Sequence, residues 1–113
     1  GLTMKDCLVM GFSQGGMITF ELGNSCQDRL GALAILSGRI MEQTIISNES
    51  LKQTPIFISH GDQDDVLPVV NFYQSKTYLQ NNNCLFEAHE IKGDTHTISP
   101  KAINLLQEFI SSG

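Results

Sequence analysis

The 113-residue chain is poor in three things: paired cysteines, basic residues and long apolar runs. Its three cysteines, Cys7, Cys26 and Cys84, are odd in number, far apart and form no C-x-x-C pair. That argues against a zinc site and a disulfide framework. Cys7 and Cys84 fall in predicted strands and read as small core residues. Three scattered cysteines fit a reducing compartment most simply, so a cytoplasmic location is expected. Lys and Arg total 7 against 12 Asp and Glu, giving a net charge of −5. Phosphate backbones are bound by basic patches, so nucleic acid is not an expected partner. No apolar run approaches the roughly 20 residues of a membrane span. The N-terminus has no basic region followed by an apolar block, so no signal peptide is visible.

What is present suffices for a packed core. Hydrophobic residues make up 41% and charged residues 17%, which argues against disorder. At this length one domain, residues 1–113, is expected. Residues 1–6 read as a solvated lead-in. Four apolar segments read as strands: 7–11, 32–36, 55–59 and, partly alternating and nearer an edge, 84–91. Pro55 stands at the first position of the third, where a missing N–H is tolerated. Helices are predicted over 14–24, with Gly23-Asn24 as stop signal, over 68–80 opened by Pro68, and from Ser99 onward. In the second, Val69, Phe72, Tyr73, Lys76 and Leu79 trace one face. The last has Ser99 as cap, Pro100 as first residue, and Ile103, Leu106, Phe109 and Ile110 on one stripe. Residues 39–54, with Ile40, Met41, Ile45, Ile46 and Leu51 among polar positions, are ambiguous between loop and short helix. Strands alternating with helices imply an α/β fold, a mostly parallel sheet of about four strands flanked by helices.

The stretch that bears chemistry is Gly11-Phe12-Ser13-Gln14-Gly15, which fits G-x-S-x-G between a strand and a helix. A serine hydroxyl is a weak nucleophile and must be held exposed within reach of a base. The sharp turn that does this demands small residues two positions on either side, and Gly11 and Gly15 meet that demand. The amide of Gln14, at the helix start, is aimed to donate to an oxyanion. A phosphate cradle is the competing reading of such a turn. It is weakened because no Lys or Arg lies near residues 11–16.

In a parallel sheet, ligands meet the loops at the carboxyl ends of the strands. Those loops carry Ser13, then an acidic cluster, then His96, and Ser…Asp…His is the chain order of the α/β-hydrolase triad. His60 comes too early and ends its strand, so it reads as structural, packing or bonding its loop. His89 sits inside a strand and points to a sheet face. His96 lies beyond a strand end, in a loop that can fold back over Ser13, and is the expected base. The acid is one of Asp62, Asp64 and Asp65, and spacing does not separate them. The same cluster lacks the D-x-D-x-D-G-x₅-E pattern of a calcium loop.

These segments, with Leu36-Ser37-Gly38, His60-Gly61-Asp62-Gln63-Asp64, Pro68, Gly93 and His96, resemble the phospholipase/carboxylesterase family of α/β-hydrolases, which includes the acyl-protein thioesterases. The resemblance implies Ser13 as nucleophile, Asp64 as acid, His96 as base and the Gln14 amide as one oxyanion donor. It implies hydrolysis of carboxylic esters or thioesters through an acyl-enzyme, with small-molecule esters or thioesters as substrates and with no metal and no organic cofactor. Where the family often has a proline after the acid, this chain has Asp65, and a carboxylate beside Asp64 is expected to raise the pKa of one of the two. The resemblance covers only about the C-terminal half of the family's domain. The other half carries the strands that neighbour the Ser13 strand and the loop whose amide completes the oxyanion hole. The 7–11 strand is therefore expected to be an open edge, satisfied by self-association or by a separate N-terminal half. A catalytically weak remnant that needs such a partner is the alternative expectation.

Overall fold

Three short apolar runs and one partly alternating segment set the architecture, because each is the length of one strand and each is separated from the next by helix-forming sequence. The computed structural model describes residues 7–26, 28–40 and 49–112. The expectations for the 1–6 lead-in and for Met41, Ile45 and Ile46 fall outside these residues. In chain order the elements are β1 (Leu8–Phe12), α1 (Gln14–Ser25), β2 (Ala32–Leu36), α2 (Glu49–Gln53), β3 (Ile56–Gly61), α3 (Val70–Asn81), β4 (Phe86–Ile91) and α4 (Pro100–Ser112). The strands form one sheet in the order β1-β2-β3-β4, and every pairing is parallel.

The two middle strands are buried almost throughout, as continuous apolar runs covered on both faces should be. On one face, Leu33, Ile35, Ile56 and Ile58 pack with Phe20 of α1, Leu51 of α2, and Phe72 and Leu79 of α3. On the other, Ala34, Leu36 and Phe57 pack with Leu106, Leu105 and Phe109 of α4. Ser99 caps α4 as expected, its Oγ accepting the Ala102 amide at 3.2 Å.

Several expectations are corrected. α3 begins at Val70 rather than Pro68, whose carbonyl instead accepts the Asn71 amide. Its buried face is Phe72, Ser75, Tyr78 and Leu79, while Tyr73 and Lys76 face solvent. Periodicity misses this rotation because a polar residue, Ser75, is drawn inside, where its Oγ accepts the Ile40 amide at 2.9 Å. On α4, Ile110 is exposed and Ala102 is buried in its place. Cys7 precedes β1 and is exposed. Cys84 is buried, but before β4 begins. β3 runs on through His60 to Gly61, two residues further than predicted.

β1 lies at one end of the sheet and β4 at the other. Leu8 and Met10 of β1 are 42% and 51% exposed, and Ile18 and Leu22 on the helix beside it are exposed as well. Among the described residues β1 is an edge strand, with no strand paired along its outer side. No helix among the described residues is long and apolar enough to cross a membrane.

Candidate active site

At the carboxyl end of β1 the chain turns sharply into α1, and Ser13 sits on the turn with φ 57° and ψ −122°. A non-glycine residue there is strained, and the conformation is held from both sides. The Ser13 amide donates to the Leu36 carbonyl at the end of β2, and the Ser13 carbonyl accepts the Gly16 amide. Gly11 is small for the expected reason: a Cβ there would stand 2.1 Å from the Gly15 carbonyl oxygen. The matching expectation for Gly15 is corrected, since a Cβ at Gly15 meets nothing within 4 Å. The second tight position is Gly16, whose Cβ would press on Ile35 at 2.8 Å. Helix α1 starts at Gln14, where an amide has no acceptor within the helix.

The loops after β3 and β4 are laced together. The Gly93 amide donates to Asp62 Oδ1 at 2.7 Å, and the Gln63 amide donates to the Asp94 carbonyl at 2.9 Å. Ser99 Oγ donates to Asp94 Oδ2. Gly61 allows this approach, for a Cβ there would lie 2.2 Å from the Asp94 carbonyl oxygen. The lacing delivers His96 over the end of β1, its ring centroid 4.9 Å from that of Phe12.

His96 Nδ1 lies 2.6 Å from Asp64 Oδ2, and its Nε2 lies 2.9 Å from Ser13 Oγ. A carboxylate only accepts, so Nδ1 carries the ring proton, and Nε2 is left to accept the serine hydroxyl proton. The structure thereby separates the three aspartates. Asp64 is buried and aimed at His96, Asp62 spends its carboxylate on Gly93, and Asp65 is exposed. Asp64 Oδ1 accepts the amides of Val66 at 3.0 Å and Leu67 at 2.8 Å. Burial is the strongest influence on the Asp64 carboxyl and pushes its pKa up. The Leu67 amide, the His96 hydrogen bond and charge, and the Val66 amide outweigh it, holding the group below its ordinary value of 3.8. Of the two neighbouring carboxyls, Asp64 is not the one raised: Asp65 is exposed and is not among the groups that act on Asp64.

The other histidines lie apart from Ser13. His89 points from β4 to Glu87, 2.7 Å away, and packs near Phe57. His60 is 1% exposed, and its Nε2 is 2.7 Å from the Leu67 carbonyl oxygen. Among the described residues no group of three or more His, Cys, Asp or Glu side chains could hold a metal ion. Sequence reasoning missed the Phe12–His96 contact and the Asp94–Ser99 bond. The Gly61 and Ser99 positions were legible, but not what they support.

The phospholipase/carboxylesterase family matches residues 1–112. The chain belongs to this family. Acyl-protein thioesterase 1 of Kluyveromyces lactis is 27% identical over 98% of this chain and 51% of its own length. The Saccharomyces cerevisiae protein of the same name is 29% identical over 97% and 51%. The crystal structure of Arabidopsis thaliana SOBER1 superposes with a TM-score of 0.89 at 27% identity, covering 99% of this chain and 55% of that one. This phospholipase/carboxylesterase chain thus spans about half the length of the relatives it matches, and its parallel sheet with flanking helices is the α/β-hydrolase arrangement.

Proposed function

We propose that the chain is a serine hydrolase of carboxylic esters or thioesters, acting through Ser13, His96 and Asp64. The observation that carries this reading is the unbroken series Asp64–His96–Ser13, with separations of 2.6 and 2.9 Å. Ser13 Oγ attacks the acyl carbonyl carbon while its proton passes to His96 Nε2. Asp64 holds the ring in the productive tautomer and offsets the imidazolium charge. The Gln14 amide donates to the oxyanion. Collapse expels the alcohol or thiol, which takes the proton from His96 and leaves Ser13 acylated. Water, deprotonated by His96, then attacks the acyl carbon, and collapse breaks the bond to Ser13 Oγ, which takes the proton back from His96 as the acid leaves. No step calls on a metal or an organic cofactor.

The open β1 edge favours a second, linked reading: full activity requires a further strand beside β1, and with it a second oxyanion donor. One missing donor costs roughly 3–4 kcal/mol, or a factor of about 10² to 10³ in rate. The half of its relatives' length that this chain does not span would supply such a strand, and a second copy is the competing source. Light scattering separates them, because a stable dimer points to the copy and a monomer to the other half.

The direct test is intact-mass analysis after a fluorophosphonate probe, which bonds to a serine activated by its base. A single adduct that is absent from Ser13→Ala is expected. A folded chain with no adduct would refute the reading of Ser13 as an activated nucleophile.

A further inference from the structure

Asp64 faces a second histidine. His60 Nε2 lies 2.7 Å from the Leu67 carbonyl oxygen and 3.3 Å from Asp64 Oδ2, and both side chains are essentially without solvent contact. Because a carbonyl only accepts, Nε2 carries the proton and donates to Leu67. Leu67 is the residue whose amide donates to Asp64 Oδ1 at 2.8 Å. It is therefore held on both sides: its carbonyl by His60 and its amide by the acid. Val66, the next residue back, donates to the same Oδ1.

We propose that His60 is a positioning residue for Asp64, holding the Asp64-to-Leu67 turn so that the carboxylate faces His96. This inference rests on the reading of Ser13, His96 and Asp64 as the reacting series. Three features favour it over simple packing. The ring is nearly solvent-free, so its donor has no water to turn to when the carbonyl is lost. The accepting carbonyl belongs to the residue just before Pro68, which has no N–H, so the turn continues without a backbone donor at that position. His60 is also anchored on β3, whose residues are all buried, while Asp64 stands on the loop that follows. A rigid strand thus sets the geometry of a catalytic loop. His60 Nδ1 has no hydrogen-bond partner among the described residues. Only Nε2 is thus in use, and glutamine, which reproduces a donor at that reach, is the conservative variant. Asparagine is too short to reach the carbonyl.

The test reads the His96–Asp64 bond itself. The Nδ1 proton of an imidazole bound to a buried carboxylate gives a far-downfield proton NMR resonance. Asp64→Asn assigns it by removing it. The resonance is expected in the native chain and in His60→Gln, and is expected to broaden or vanish in His60→Asn and His60→Leu. Thermal unfolding checks that each variant is folded. Fluorophosphonate labelling should slow by up to about 10²-fold in His60→Asn, the scale set by a misplacement of about 1 Å, and recover in His60→Gln. A folded His60→Asn or His60→Leu that keeps the native resonance and line width would overturn the inference. So would a folded His60→Gln that loses the resonance. If His60→Leu fails to fold, the asparagine and glutamine pair still decides. A native chain that shows the resonance but never labels refutes the proposed function and leaves the role of His60 in holding Asp64 intact.

Discussion

The turn that carries Ser13 makes a sharp demand at one glycine and not at the other. Alanine at Gly11 would bring Cβ to 2.1 Å from the Gly15 carbonyl oxygen, 2.3 Å from its carbon and 2.4 Å from Thr19 Oγ1, where real contacts are essentially never under 3.0 Å. Two of those three atoms are backbone, so the start of α1 must retreat from β1 by most of an ångström. Overpacking of this kind typically costs 1–3 kcal/mol, and because backbone must move, more than about 3 kcal/mol is expected. At about 4 °C per kcal/mol for a domain of this size, Gly11→Ala should melt at least about 12 °C below the native chain. Gly15→Ala meets nothing within 4 Å and lies in a helix, where alanine gains up to about 1 kcal/mol over glycine. It should melt at or up to about 4 °C above the native chain. Differential scanning calorimetry of the two variants side by side is the assay. A Gly11→Ala chain with native stability, or a Gly15→Ala chain as damaged as Gly11→Ala, would refute this account of the turn. Fluorophosphonate labelling should fall with Gly11→Ala even in the fraction that remains folded, because Ser13 moves relative to His96.

Other consequences follow from the same geometry. Ser13→Gly should be more stable than Ser13→Ala by about 1 kcal/mol by urea titration, because glycine accepts φ 57° without strain and both variants lose the His96 bond equally. Asp64→Asn should keep the fold but slow probe labelling by up to about 10⁴-fold, since an amide can set the wrong imidazole tautomer. Asp64 also carries a pH dependence. Its folded pKa is depressed, so its contribution to stability is present above the ordinary value of 3.8 and is lost as pH falls below that value through the folded one. Urea midpoints followed on acidification should show this loss in the native chain and lack that component in Asp64→Asn. Finally, a Leu8→Lys, Met10→Lys pair places charge on the open edge and should abolish any self-association seen by light scattering, while leaving the buried centre of the sheet untouched.

Much of the fold was legible because its signals are local. Each strand of the pair β2 and β3 is an apolar run of one strand's length, and Ser99-Pro100 opens α4 by capping chemistry confined to one turn. G-x-S-x-G between a strand and a helix announced the turn at Ser13, and the order of Ser13 and His96 along the chain suggested the roles proposed for them. Local signals failed where a distant partner intervened. Ser75 turned α3 because Ile40, 35 residues away, needs its hydroxyl. The glycine requirement fell on Gly16 rather than Gly15 because Ile35 of the neighbouring strand presses there.

Local pattern along the chain was enough for the alternation of strands and helices, the elbow, and the three loops that carry Ser13, the acidic cluster and His96. Spacing did not separate Asp62, Asp64 and Asp65, which stand only a few positions apart on one loop, and Asp64 was implied there by the family resemblance alone. The contacts that single out Asp64 belong to tertiary structure. Asp64 meets His96 across 32 residues and His96 meets Ser13 across 83, and the lacing of the loops after β3 and β4 fixes both distances. A pattern along the chain encodes what neighbours in sequence do to one another. Which carboxylate is buried, bonded to two amides and turned toward the imidazole depends on how loops from separate strands pack, and only the folded sheet brings them together.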